Sequence, residues 1–291
     1  MGFRTVVIRS RAKLDYKMDY LVVRSDEQVN RIHLDEIAVL IIESTAVSLT
    51  AYLLAEMSHK KIKVIFCDEK RNPTAELCSL YGSHDTSRKV REQIKWGSDS
   101  KGMVWAEIVR AKIIGQMSNL PEIAQEARML MSSYIRDIQP ADVTNREAHA
   151  AKVYFNALFG MEFSRAENNN VNAALNYGYG ILLSAFNREI TSQGYMTQIG
   201  IFHDNIFNHF NLSSDLMEPF RPYVDRIVRG MSLENFEHEE KMALVNVLNV
   251  TVTISNQQHF LSNAIRLYAL SIFDALSDND IAKIRFPSYE L

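Results

Sequence analysis

The hydrophobic pattern changes its period near residue 82, and few folds accommodate such a change. Before it, Phe3–Ser10, Asp19–Ser25, Arg31–His33 and Glu36–Ile42 are short β-branched or aromatic runs broken by Asp, Asn and Ser, which is how strands read. LTAYLLAEMSHKK supplies one helix with Leu49, Leu53, Leu54 and Met57 on one face. KVIFCD follows as a buried strand, and this region is expected to end near Leu80-Tyr81-Gly82. Gly82–Gly102 is polar and charged and is expected as a linker holding a short helix. Beyond Lys101 helical spacing takes over at Met103–Met117, Glu122–Asp137, Thr144–Phe159, Val171–Gln193, Leu216–Arg229, Glu239–Asn249 and His259–Leu276. Strands segregated from helices predict an α+β protein. Residues 1–82 are expected to form a small β-rich, β-sandwich-like domain, 83–101 a linker, and 102–291 a larger all-α domain.

Composition excludes several classes. Two cysteines, Cys67 and Cys78, with no CxxC pair rule out a disulfide framework or zinc ribbon and fit free thiols in a reducing cytoplasm. The longest apolar run, Ala173–Phe186, is broken by Asn176, two glycines and Ser184. It is too short to span a bilayer, and the N-terminus lacks a signal-peptide core. A cytoplasmic protein with no membrane partner is expected. The net charge of −3 weighs against nucleic-acid binding, because phosphate neutralisation supplies most of such affinity. The charge is uneven, however. Residues 1–24 hold six Lys/Arg, and residues 86–112 hold seven, among them Arg88, Lys89, Arg91 and Lys95. Such runs are usually solvated faces, but these four are candidates for contact with a DNA backbone.

No GxxxxGK, GxGxxG, GxSxG or HExxH occurs, which removes the familiar nucleotide, serine-hydrolase and zincin motifs. Metal-dependent phosphodiester chemistry needs only two or three hard ligands from separate segments. VTNREAHAAKVYF places Glu147 in a first helical turn, where it could close a capping box with Thr144. The same glutamate shares a face with Ala150, Ala151 and Tyr154, which suits a carboxylate looking into a cleft. In HDNIFNHFNLSSDLMEPFRP, His203 competes with His209 as a ligand. Ser213 or Ser214 could cap a helix there, with Asp215 and Glu218 on one face of its positive end and Pro219 in its first turn. The plain alternative is dipole complementation. Arg221 could clamp a phosphate or pair with Asp215 or Asp225.

The stretches VIFCDEKRNPTAELCSLYGSHDTS, TNREAHAAKVYF, LNYGYGILLSAFNREI and GIFHDNIFNHFNLSSDLMEPFRPYVD, in this order, resemble the CRISPR-associated adaptation integrase family, the universal first Cas protein. The likeness extends over essentially the whole chain and looks like the type II-A subgroup. It implies a β-rich dimerisation domain and a helical catalytic domain. It also implies a divalent ion, Mg²⁺ or Mn²⁺, held by Glu147, His203 and Glu218, with Asp215 close to the site. The glutamate at 218 stands where many relatives carry aspartate: a longer arm with the same oxygen donor. The implied reaction is attack by the 3′-hydroxyl of captured spacer DNA on a phosphodiester of the CRISPR repeat. The implied partners are double-stranded DNA, a second copy of the chain, and the small ferredoxin-like second Cas protein in a heterohexamer. Type II-A relatives add a ring-shaped DNA-end-binding protein and the RNA-guided effector nuclease. A stand-alone metal-dependent nuclease would use the same ligands with water as nucleophile. A non-catalytic DNA-binding scaffold would need none of them.

Overall fold

The computed structural model describes residues 4–26, 28–69, 71–77 and 83–288. Cys78 and the expected domain end at Leu80-Tyr81-Gly82 lie outside these. The chain separates into two compact units, one formed by Met1–Thr86 with Thr191–Gly194 and the other by Ser87–Ile190 with Tyr195–Leu291.

The first unit is built on two four-stranded sheets. One carries β1 (Arg4–Ile8), β5 (Ile37–Ile42), β7 (Lys63–Cys67) and β8 (Pro73–Leu77) in the order β1-β5-β7-β8. Its first three strands are parallel, and β8 runs antiparallel to β7. Every residue of IAVLII in β5 is buried, as a central parallel strand requires. The other sheet has the order β4-β3-β2-β6, from β2 (Ala12–Lys17), β3 (Tyr20–Arg24), β4 (Val29–His33) and β6 (Val47–Leu49). Leu14 and Leu21 of the second sheet and Leu40, Ile42 and Val64 of the first belong to one apolar cluster, closed by Leu53 and Met57 of helix α1 (Ala51–His59). Thr50 caps that helix by accepting from the Leu53 N–H at 3.2 Å.

Three of these strands escape the sequence pattern. In β2, AKLDYK, only Ala12 and Leu14 are buried, and its hairpin to β3 turns through Met18 and Asp19 at φ 50° and 65°. That turn carries no Asn-Gly or Asp-Gly signal. The strand β6 is three residues long, and β8 starts on a proline.

Among the described residues the second unit is helical apart from one hairpin and an isolated bridge, Thr253 to Ser288. Helix α2 (Thr86–Ile94) and the first turn of α3 (Ser98–Asn119) fall in the stretch read as linker. Its polar composition reflects exposed faces, while Gln93 and Trp96 are buried. Helices α4 (Gln125–Asp137), α5 (Arg146–Phe159) and α6 (Asn170–Ser192) follow. The long helices α3 and α6 bury residues around most of their circumference, the mark of core helices. At Gly178 of α6 a side chain would collide with Val224, so glycine is what lets α6 approach that neighbour closely.

The single helix expected over Leu216–Arg229 is two. Helix α7 (Asn211–Met217) and helix α8 (Arg221–Arg229) flank a 3₁₀ turn at Glu218–Phe220. Pro219 and Pro222 withhold the amide hydrogens that a continuous helix needs. After α9 (His238–Val245) comes an antiparallel hairpin of β9 (Thr251–Ile254) and β10 (Gln257–Phe260), then α10 (Leu261–Asp278). The expected β-rich region followed by a mostly helical one is present, with this hairpin as an addition to the helices. TVTI alternates with period two, and Ser255 and Asn256 take φ 53° and 61° in a tight turn. Among the described residues no helix is long and apolar enough to cross a membrane.

Candidate active site

Glu147 enters the site from the first turn of α5. The expected capping box is not formed. Asn145, at φ 53°, makes no side-chain cap, and buried Asp142 accepts from the Arg146 and Glu147 amides at 2.9 Å each. Ala141 and Asp142 are also left-handed, at φ 58° and 47°. Three such non-glycine residues in five mark a strained entry held by its surroundings. Because Asp142 takes the amides, the Glu147 carboxylate is released from capping. It reaches the ammonium of Lys112 on α3 at 2.5 Å.

Glu218 meets the same ammonium. Its Oε2 lies 2.5 Å from Lys112 Nζ and its Oε1 lies 2.9 Å from Arg221 Nε. Oε2 has no hydrogen-bond donor correctly oriented toward it, so the Lys112 contact is an ion pair rather than a directed hydrogen bond. The Glu218 side chain is 4% exposed and that of Lys112 9%. Burial pushes the Glu218 pKa up, but Arg221 and Lys112 outweigh it and hold the group below its ordinary value. Lys112 is held above its own by the two glutamates, against its burial.

His203 is positioned by Asp215. The predicted arrangement, with Asp215 at a helix N-terminus, is corrected by the structure. Asp215 lies inside α7, and Ser213 is not a cap but donates to Asn187 Oδ1 at 2.5 Å. The fully buried Asp215 carboxylate accepts from the amides of Ile201, Phe202 and His203 at 2.6, 3.0 and 3.1 Å, and lies 2.5 Å from His203 Nδ1. Gly200 is what permits this wrap. A Cβ there would collide with the His203 carbonyl and come within 2.8 Å of Asp215 Oδ2. Trp105 of α3 stacks on Phe202 at 4.5 Å and lies nearly perpendicular to the His203 ring, with ring centres 5.8 Å apart. With Nδ1 engaged by a carboxylate, Nε2 is the nitrogen left for a ligand. The bond to Asp215 raises the His203 pKa, and the charges of Glu218 and Glu147 add to the rise.

His209, the rival ligand, contributes its backbone carbonyl to Thr197 Oγ1 at 2.8 Å. Arg221 pairs with Glu218, rather than with Asp215 or Asp225 as expected, and lies 4.5 Å from the Tyr179 ring centre. Of the basic candidates on α2, Arg88 pairs with Glu92 at 3.0 Å and Lys89 lies 5.8 Å from the Tyr195 ring centre. Arg88, Arg91 and Lys95 are exposed. Gln93, buried between them, donates to the carbonyls of Met196 and Ile199 at 2.8 and 2.9 Å. It thereby ties α2 to the segment leading into Gly200. Arg88, Lys89 and Lys95 also line a cleft of about 760 Å³ with Trp96, Tyr195 and Asp274.

The profile of the family "CRISPR associated protein Cas1" matches residues 5–264. The CRISPR-associated endonuclease Cas1 of Neisseria meningitidis serogroup C (strain 8013) is 31% identical over 294 residues, covering 99% of this chain and 96% of that protein. The chain belongs to the Cas1 family. The fold agrees. A casposase bound to its integration product superposes with TM-score 0.76 at 17% identity, covering 97% of this chain and 92% of the casposase. A Cas6-RT-Cas1–Cas2 complex gives TM-score 0.73 at 16% identity over 100% of this chain and 36% of that one.

The expected ligands of this Cas1 chain, two carboxylates and an imidazole nitrogen, are donors of the kind a hard divalent ion accepts. Among the described residues no three acid, histidine or cysteine side chains already converge for an ion; Lys112 contacts both glutamates instead. Sequence reasoning missed Lys112 and Asp142 as parts of the site. Lys112 carried a signal, being the one cation in AKIIGQM of a core helix, a heptad from Trp105.

Behind Arg221, buried Asp225 accepts from Tyr179 at 2.5 Å and Tyr154 at 3.1 Å. Burial raises its pKa to about 6 despite both hydroxyls. A carboxyl raised in the folded state stabilises the protein while protonated, and that contribution fades as pH climbs from about 4 to about 6. Replacement Asp225→Asn should therefore remove a decline of roughly 2–3 kcal/mol in unfolding free energy across that window. Denaturant titrations at pH 4, 5, 6 and 7 check it.

Proposed function

We propose that this protein joins the 3′ end of captured spacer DNA to the CRISPR repeat by transesterification at a site formed by Glu147, His203 and Glu218, with Mg²⁺ or Mn²⁺ as the bound ion. As a Cas1 family member it is a DNA endonuclease/integrase. The observation that carries the site reading is the meeting of two carboxylates from different helical segments at one buried point. Beside them stands an imidazole whose far nitrogen is kept available by Asp215. A casposase captured on its integration product has the same fold, which favours strand joining over simple hydrolysis.

In the proposed reaction one O3′–P bond forms as another breaks, so no ATP is consumed. The bound ion supplies Lewis-acid stabilisation of charge growing on the phosphoryl oxygens. The protein's own groups do the positioning. Asp215 fixes the imidazole tautomer. Arg221, anchored on Tyr179, steadies the outer oxygen of Glu218. Arg88, Lys89, Arg91 and Lys95 meet the DNA backbone, which needs charge rather than sequence. A homodimer through the β-rich unit and assembly with the second Cas protein complete the reading. A Cas6-RT-Cas1–Cas2 complex shares the fold.

A labelled duplex with free 3′-hydroxyl ends, given with a repeat-bearing plasmid, tests the reaction. Glu147→Ala, His203→Ala and Glu218→Ala should each reduce joined product on the order of 10²-fold or more. Labelled fragments without joined product would identify hydrolysis instead.

A proton on Nε2 excludes a metal ion, so activity should fall on acidification. Since Asp215 raises the imidazole pKa, the midpoint of that fall should lie higher in the wild-type protein than in an Asp215 variant at the same metal-ion concentration. Asp215→Asn should move the midpoint down toward the ordinary imidazole value while also lowering the plateau. A pH profile of initial joining rates, read for its midpoint, separates the two effects.

The subgroup reading, type II-A, rests on the motif likeness. It implies that the ring-shaped DNA-end-binding protein and the RNA-guided effector nuclease co-purify with this chain and the second Cas protein from a co-expressing cell. Retention of the second Cas protein alone would leave the family function and remove the subgroup.

A further inference from the structure

The carboxylates of Glu147 and Glu218 share an ammonium. Lys112 Nζ is 2.5 Å from Glu147 Oε1 and 2.5 Å from Glu218 Oε2. Its side chain is 9% exposed on a helix whose neighbouring Trp105, Ile108, Ala111 and Ile113 are all buried. A buried carboxylate, Glu218, and a partly buried one, Glu147, aimed at one point repel unless a cation lies between them. A buried lysine is itself costly unless paired. In this structure each problem resolves the other.

From this geometry we propose that Lys112 is a resident counterion of the ligand pair. On this view the divalent ion displaces it from between the carboxylates, and the displacement couples metal binding to the binding of a DNA phosphate. The inference rests on the reading that Glu147 and Glu218 are ligands. Charge gives the reason. In the present state the two carboxylates are balanced by Lys112 and Arg221. Adding a divalent ion leaves these four groups and the ion with two excess positive charges at a buried place. Helix α3 is locked in the core, so the lysine cannot leave; only its four-carbon stem can swing. The displaced ammonium then needs an anion, and a phosphodiester brought to the site is one. Metal alone should bind weakly, DNA should tighten it, and the reverse must hold by linkage. Lys112 is thus a positioning residue that resists idle metal loading.

The test measures Mn²⁺ affinity of the full-length protein by electron paramagnetic resonance of free Mn²⁺, with and without a duplex bearing unreactive 3′-deoxy ends. Lys112→Met and Lys112→Gln should bind Mn²⁺ about tenfold more tightly than wild type in the absence of DNA, the size of an ordinary coupling. DNA should tighten Mn²⁺ binding about tenfold in wild type and less than about threefold in these variants. Lys112→Arg, which keeps the cation, should behave as wild type. Thermal melts guard against misfolding: the Met variant should melt lower than wild type without metal and recover with Mn²⁺. If neither neutral variant binds Mn²⁺ more tightly while Glu218→Gln abolishes binding, the counterion role is overturned and the metal site stands. If Glu147→Gln and Glu218→Gln both leave Mn²⁺ binding unchanged, the ligand assignment falls and takes the inference with it.

Discussion

The site depends on one buried carboxylate. Asp215 has no exposed side-chain surface, and it collects the amides of Ile201, Phe202 and His203 together with the His203 ring. Hydrogen bonds to a charged group contribute roughly 1.5–3 kcal/mol each, and an unpaired buried charge costs several. The turn from Gly200 to His203 is therefore bound to α7 by this one group. The orientation of the imidazole comes with it. Remove the carboxylate and the turn loses three amide partners at once; add a side chain at Gly200 and the turn cannot close on it.

A second network fixes the other half of the site. Asn119 at the end of α3 donates to Tyr154 of α5 at 3.1 Å and to the Pro222 carbonyl of α8 at 2.6 Å. Tyr154 donates to Asp225, Asp225 also accepts from Tyr179, and Arg221 rests on the Tyr179 ring while holding Glu218. Every link joins two different helices or joins a helix to the ligand turn. A buried polar chain of this kind pins relative helix positions more tightly than apolar packing does, because each member must keep its partner. Glu147 and Glu218 come from segments 71 residues apart, and this chain of contacts sets the distance between them.

How much of this was legible depended on whether the signal was local. The order of strands before helices showed in the periodicity, and so did the central strand IAVLII. The hairpin at Thr251–Phe260 did not, because four-residue strands joined by Ser-Asn carry little pattern and the following helix extends its own period over them. Glu147, His203 and Glu218 stood out by motif. What surrounds each was hidden, because it is tertiary. Asp142 caps α5 only through a left-handed backbone, and no propensity rule places a cap five residues ahead of Glu147. Lys112 looked like one more member of a basic run. Its burial became visible only when α3 was seen packed on every side.

The two acids of SSDLMEPF divide their work for a geometric reason. Three residues apart, with the Glu218 amide bonded to the Asp215 carbonyl, they leave the chain on the same side and are told apart by reach. The 3₁₀ turn at Glu218–Phe220, imposed by Pro219, ends α7 directly after Met217. Asp215, with its short arm, stays in the helix and turns into the Gly200–His203 loop. Glu218, with its longer arm, reaches Lys112 of α3, which the Glu147 carboxylate also contacts. A glutamate rather than an aspartate suits that position, since the extra methylene spans to an ammonium also bound from α5. Thus arm length and partners, rather than a change of direction at the proline, separate the acid that orients the imidazole from the acid that faces the cation.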